Sequence, residues 1–198
     1  MGTGVSFAVA NRFALENFQI AMVGRRREAL DEFERKFQDA GFSAKGFVGD
    51  AANEVSLRQA LKEIRETLGE CEVLIYNAYG LTAATVSEVD FADFRCDTEA
   101  NLFAPLVAAR EVLPAMKQCG RGTLLFTGGG AGLDAYPAWA SLSIGKAALR
   151  SLVFNLHAEL VPQGIHAATV TIAGTVGSDS TNLEPASIAE HFWNLHRQ

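Results

Sequence analysis

The sequence predicts a doubly wound α/β fold, a parallel sheet with helices on both faces. Three observations predict it. Short apolar segments alternate with longer helical ones along the whole chain, the pattern of βαβ units. The short segments are apolar nearly throughout, as in Val73-Leu74-Ile75 and Leu124-Leu125-Phe126, which is how strands buried on both faces read. Glycines stand where the helices should stop.

Taken in order, the expected elements are helix 7–17, strand 19–24, helix 27–40, strand 44–48, helix 54–68, strand 72–76, helix 91–119, strand 123–127, helix 137–160, strand 166–172 and helix 185–196. Gly41, Gly69, Gly120 and Gly164 are the expected C-caps, because glycine enters the left-handed region without a Cβ clash. The length of 198 residues fits one domain spanning 1–198. In such folds ligands bind at the C-terminal ends of the strands, so functional residues should follow each strand.

Composition narrows the function. Hydrophobic residues make up 48% and charged residues 20%, enough for an ordinary core. The net charge is −6, and the densest basic cluster is Arg25-Arg26-Arg27. A basic stripe for nucleic acid is lacking, so no nucleic-acid partner is expected. Cys71, Cys96 and Cys119 are far apart and form no metal spacing; no metal site is expected, and a reducing, cytoplasmic setting is. No apolar run reaches spanning length, and no membrane partner is expected. His157, His166, His191 and His196 show no triad spacing and read as structural. Met1 to Ser6 also fits a myristoylation pattern, although its glycines have a better use.

That use is a phosphate loop. Gly2-Thr3-Gly4-Val5-Ser6 runs into the first helix. Glycine allows close backbone approach, and a helix start offers free N–H groups to a pyrophosphate. The chain opens inside this loop. The strand that would feed it is expected to be missing, and a bare gap there would leave neighbouring strands short of partners.

The loop resembles the Gly-x-x-x-Gly-x-Gly turn of the short-chain dehydrogenases/reductases, a Rossmann-like family, with Gly4 in the second glycine place and Ser6 in the third. Ser6 then either donates to phosphate or caps the helix. Three further matches follow strands. Arg25 and Arg26, in Val23-Gly24-Arg25-Arg26, stand where an acidic residue would take ribose hydroxyls; arginine instead suits the 2′-phosphate of NADP. A solvated basic turn is the alternative. Asp50, followed by Ala51, matches the Asp that meets the adenine amino group, or else it starts the next helix. Asn77-Ala78 matches the Asn-Asn-Ala-Gly turn, with Tyr76 in the first Asn place and Tyr79 in the Gly place. The resemblance therefore implies an NAD(P)-dependent oxidoreductase, NADP(H) favoured and NAD(H) possible, acting on a small carbonyl or alcohol.

At the reacting end the resemblance is selective. Lys146 and Asn101 match the family's lysine and asparagine, and Ala173-Gly174 matches its later Pro-Gly turn, with Gly174 against the cofactor and Ser178 where a threonine usually meets the carboxamide. The family's tyrosine should stand four residues before Lys146, but Leu142 is there. Its serine should stand where the sequence has Gly129. Leucine cannot transfer a proton. Tyr136, Ser141 and Ser143 are the nearby substitutes to consider, while Tyr76, Tyr79 and Trp139 either line a cleft or pack in the core. The alternative reading is a catalytically silent NADP(H)-binding protein. The resemblance also implies a dimer or tetramer.

Overall fold

The computed structural model describes residues 4–178 and 180–198. Gly2, one of the expected phosphate-loop residues, lies outside the described residues. Seven α-helices and five strands are described, in the order α1 Val5–Ala14, β1 Ile20–Gly24, α2 Arg27–Asp39, β2 Ala44–Val48, α3 Glu54–Leu68, β3 Val73–Tyr76, α4 Phe91–Thr98, α5 Ala104–Cys119, β4 Gly122–Gly129, α6 Ala140–Leu160, β5 Ile165–Ile172 and α7 Pro185–His196. All strand pairs are parallel. The α/β reading and the element order hold.

The chain groups into two compact units. The first holds residues 1–50, 55–70 and 175–198. Its sheet is β1 beside β2, with Ile20 opposite Ala44. The phenyl rings of Phe33 and Phe37 on α2 meet Phe7 on α1. Phe13 and Phe18 meet Trp193 and His196, which ties α1 to α7. Arg12 completes that seam with an ion pair to Glu190 and a stack on Trp193.

The second unit holds residues 51–54 and 71–174. Its sheet runs β3-β4-β5, with Val73 opposite Thr123 and Thr123 opposite His166. β4 is the middle strand and is buried from Thr123 to Thr127. β3 pairs on one side only, and Val73, Leu74 and Ile75 are half-buried. No strand among the described residues pairs with both β1 and β3.

Several boundaries differ from expectation, each for a local reason. Helix α1 begins at Val5, with Gly4 as its N-cap. Ser6 therefore lies inside the first turn, and its expected capping role is corrected. The helix ends at Ala14, and Asn17 turns the chain at φ 65°. The expected helix 91–119 is interrupted by a π-helical turn over Glu99–Phe103, where the Ala104 amide donates to the Glu99 carbonyl five residues back. Pro105, just beyond it, lacks an amide proton, so the ordinary ladder cannot close there. A 3₁₀ turn, Pro137–Trp139, precedes α6. The four cap glycines take φ between 65° and 90°, as expected.

Candidate active site

The second unit carries a polar cluster at the C-terminal ends of β3 and β4. At its centre is Lys146 on α6, only 6% exposed. Its Nζ donates to the Thr127 carbonyl at 2.7 Å and lies 5.8 Å from the centre of the Tyr79 ring. Burial pushes the Lys146 ammonium down from 10.5 to about 8, because leaving water penalises the charged form.

Asn101 sits in the π turn and is fully buried. Its Oδ1 accepts from the Gly80 amide at 3.1 Å and its Nδ2 donates to the Gly80 carbonyl at 2.9 Å. One side chain thus satisfies both backbone groups of the loop after β3. Asp97 holds the same loop from the other side: its Oδ2 accepts from the Thr82 amide at 2.8 Å and from the Ser141 hydroxyl at 2.5 Å. The loop, α4 and α6 are therefore tied by one buried carboxylate. Two glycines make the fit possible. A Cβ at Gly80 would lie 2.6 Å from the Asp97 Cα, and one at Gly145 would lie 2.5 Å from the Asn101 Cβ.

The glycine run after β4 is equally specific. A Cβ at Gly128 would strike the Thr169 hydroxyl at 2.6 Å, and one at Gly132 would strike the Lys146 backbone at 2.7 Å. Gly129 differs. Its backbone is extended, at φ −148°, and a Cβ would rest 3.6 Å from the Lys146 Cγ. A side chain fits there beside the lysine.

The structure sorts the substitute donors. Ser141 is spent on Asp97, and the Ser143 hydroxyl accepts from the Tyr136 amide at 3.1 Å. The Tyr136 ring stacks on Trp139. Tyr76 is a core residue whose hydroxyl donates to the Ala100 carbonyl at 2.6 Å. Tyr79 is 60% exposed, so core packing does not claim it. Leu142 is half-buried one turn before Lys146. Asn77 and Ala78 lead into the clamped loop after β3, and Gly174 follows β5 at φ 150°. Sequence reasoning missed Asp97; a lone acidic residue inside a helix gave no signal of its own.

In the first unit, Gly4 offers no side chain to cap α1, and Val5 and Ser6 form its first turn. Arg25 and Arg26 follow β1 and are both exposed. Arg27 is held to β2 by a 2.8 Å bond from its Nη2 to the Gly46 carbonyl. Gly24 accepts from the Gly49 amide at 3.0 Å. The Asp50 amide donates to the Ser56 hydroxyl at 3.1 Å. Helix α3 starts at Glu54, so Asp50, followed by Ala51, does not begin it, and that alternative is corrected.

Comparison with known proteins shows the family and the fold. The short chain dehydrogenase family model matches residues 1–186. The chain belongs to the short-chain dehydrogenase/reductase family. An oxidoreductase of Sarocladium schorii is 28% identical over 165 residues, 82% of this chain and 64% of that protein. The chain thus spans less than two thirds of that relative's length. A gluconate 5-dehydrogenase from Burkholderia cenocepacia, solved with NADP and tartrate, is 25% identical, with a TM-score of 0.80 over 86% of this chain and 67% of that one. A metagenomic short-chain oxidoreductase solved with NADP shares the fold, with a TM-score of 0.87, 24% identity and coverage of 98% and 86%. No helix among the described residues is long and apolar enough to cross a membrane.

Two outcomes test this geometry. Gly129→Ser should change unfolding free energy by no more than about 0.5 kcal/mol, whereas Gly132→Ser, which meets backbone, should lose roughly 1–3 kcal/mol in urea titrations. The second concerns charge. The unfolded chain keeps the lysine at 10.5 while the fold holds it near 8. Between those values the unfolded state binds more protons, so the Lys146 contribution to stability rises with pH across that window and its full penalty stands below it. Lys146→Met should therefore be more stable than the wild type at pH 7, by on the order of 1–3 kcal/mol, and the advantage should shrink by pH 10. An advantage independent of pH would contradict the burial of a charged lysine.

Proposed function

We propose that this chain binds NADP(H) and transfers a hydride between the nicotinamide and a small carbonyl or alcohol. The observation that carries the reading is the burial of Lys146 and Asn101, the ammonium bonded to the Thr127 carbonyl of β4 and the amide bonded to Gly80 in the loop after β3. Their positions match the family lysine and asparagine. Lys146 would hold the nicotinamide ribose, with Asn77, Ala78 and Gly174 lining the same end. The glycine-rich stretch at the start of α1, with Gly2, Gly4, Val5 and Ser6, would take the pyrophosphate through backbone N–H groups. Arg25 would meet the 2′-phosphate, Arg26 would support it, and Asp50 and Ala51 would meet the adenine. The exposed arginines favour NADP(H) over NAD(H), and the solved relative with bound NADP supports the same preference.

A second reading is a catalytically silent NADP(H)-binding protein. Leu142 and Gly129, in the places of the family tyrosine and serine, favour it. Under either reading a cytoplasmic dimer or tetramer is proposed.

Calorimetric titration separates these accounts. NADPH should bind more tightly than NADH, and Arg25→Ala should weaken NADPH roughly tenfold to a hundredfold while leaving NADH nearly unchanged, as loss of a charge-assisted phosphate contact does. Equal binding of both cofactors would remove the Arg25 assignment. Binding without turnover across a panel of aldehydes and ketones would select the silent reading.

A further inference from the structure

We propose that Tyr79 supplies the phenol that α6, with Leu142 one turn before Lys146, does not carry, and that it is the proton donor to the substrate oxygen. The proposal rests on the oxidoreductase reading above. Proton transfer to a carbonyl needs an acidic group within hydrogen-bond reach and a nearby positive charge to hold its anion. Helix α6 keeps the charge, Lys146, and lacks the acid.

The chain has three tyrosines. Tyr76 is buried, with its hydroxyl on the Ala100 carbonyl. Tyr136 stacks on Trp139. Tyr79 is the one whose ring stands beside the Lys146 ammonium, 5.8 Å from ring centre to Nζ, within the range where a cation and a ring attract. It is also the one most open to an incoming molecule, at 60% exposure. Ser141 and Ser143 are engaged elsewhere, with Asp97 and the Tyr136 amide.

The loop is built to hold this ring in place. Gly80, the next residue, is bonded through both backbone groups to Asn101 and presses on the Asp97 backbone. Thr82 is bonded to the same Asp97, which also takes the Ser141 hydroxyl from α6. The loop that carries the phenol and the helix that carries the ammonium are therefore fastened through one carboxylate. Such fastening is what positions a proton donor, since reach decides the transfer.

The step balances simply. A reduced nicotinamide, when bound, would supply a hydride with its two electrons to the carbonyl carbon, and the C=O π pair would move onto oxygen. The Tyr79 O–H bond would break and its proton go to that oxygen. The carbonyl would thus be reduced at the expense of the nicotinamide, and the phenolate beside Lys146 would regain a proton from water.

The test uses the full chain with NADPH, a panel of aldehydes and ketones, and an aryl sulfonyl fluoride, a probe that reacts with phenols assisted by a neighbouring cation. Tyr79→Phe keeps the ring. It should lower kcat by about 100-fold or more, the scale of a lost general acid, while NADPH affinity and KM stay within about twofold. Adding Leu142→Tyr to Tyr79→Phe should restore turnover, which loss of a merely structural residue would not allow. In the cofactor-free protein, mass mapping should find Tyr79 labelled faster than Tyr136, and Lys146→Met should abolish the difference. If the wild type reduces carbonyls and Tyr79→Phe does so equally well, the proposal is overturned and the oxidoreductase reading stands. If the wild type binds NADPH and reduces nothing, the oxidoreductase reading fails and the proposed role falls with it. Labelling of Tyr79 that ignores Lys146 overturns the phenol–ammonium pair whatever the turnover.

Discussion

A buried ammonium is the constraint on which the second unit depends. Lys146 stands among strand ends and glycines with one carbonyl, Thr127, accepting from it. A charged group in that setting is held against its desolvation by the folding of its surroundings. The surroundings are correspondingly exact in size: Gly132 lies on the lysine's own backbone, and Gly128 lies on Thr169. A fold selected only for stability has an inexpensive alternative in an apolar residue at 146. A lysine buried in that place is a reason to look for chemistry there.

The π turn extends that constraint to the loop after β3. By adding a residue to the helical repeat around Pro105, it lets Asn101 leave the ordinary ladder and meet Gly80 with both ends of its amide. Gly145, on the lysine's helix, packs directly on the Asn101 Cβ. Asp97 and Ser141 add a second tie between the same elements. Displacement of any one of these residues is felt at the others, because the Asn101 and Asp97 side chains bond loop backbone at Gly80 and Thr82 while Ser141 fastens Asp97 to α6.

Much of this was legible in the sequence. Alternating apolar strands and glycine-stopped helices gave the order of elements, because burial on both faces and left-handed caps leave direct marks on residue type. Lys146 and Asn101 were singled out through resemblance, and the structure adds that both are buried. The break in the helix at Glu99–Phe103 was not read, since Pro105 also fits an ordinary first helical turn. The start of α1 was misread because Ser6 is a good capping residue, whereas Gly4 takes the position through its backbone alone. Asp97 was invisible because a single carboxylate in a helix declares its partners only in three dimensions. Tyr79 stood in a glycine place and read as either a cleft or a core residue; its exposure and its place beside Lys146 remove the core alternative.

Membership of the short-chain dehydrogenase/reductase family explains the fold, while the site must be argued from its own residues. In this chain the buried lysine stands one helical turn after a leucine, Leu142. The most direct measurement is the titration of that lysine itself, followed by NMR of side-chain-labelled lysine and assigned with Lys146→Met. The account predicts one lysine resonance with a midpoint near 8, absent from the variant. A Lys146 midpoint at the ordinary 10.5 would contradict it, for the ammonium would then be in water and the site would not be built around it.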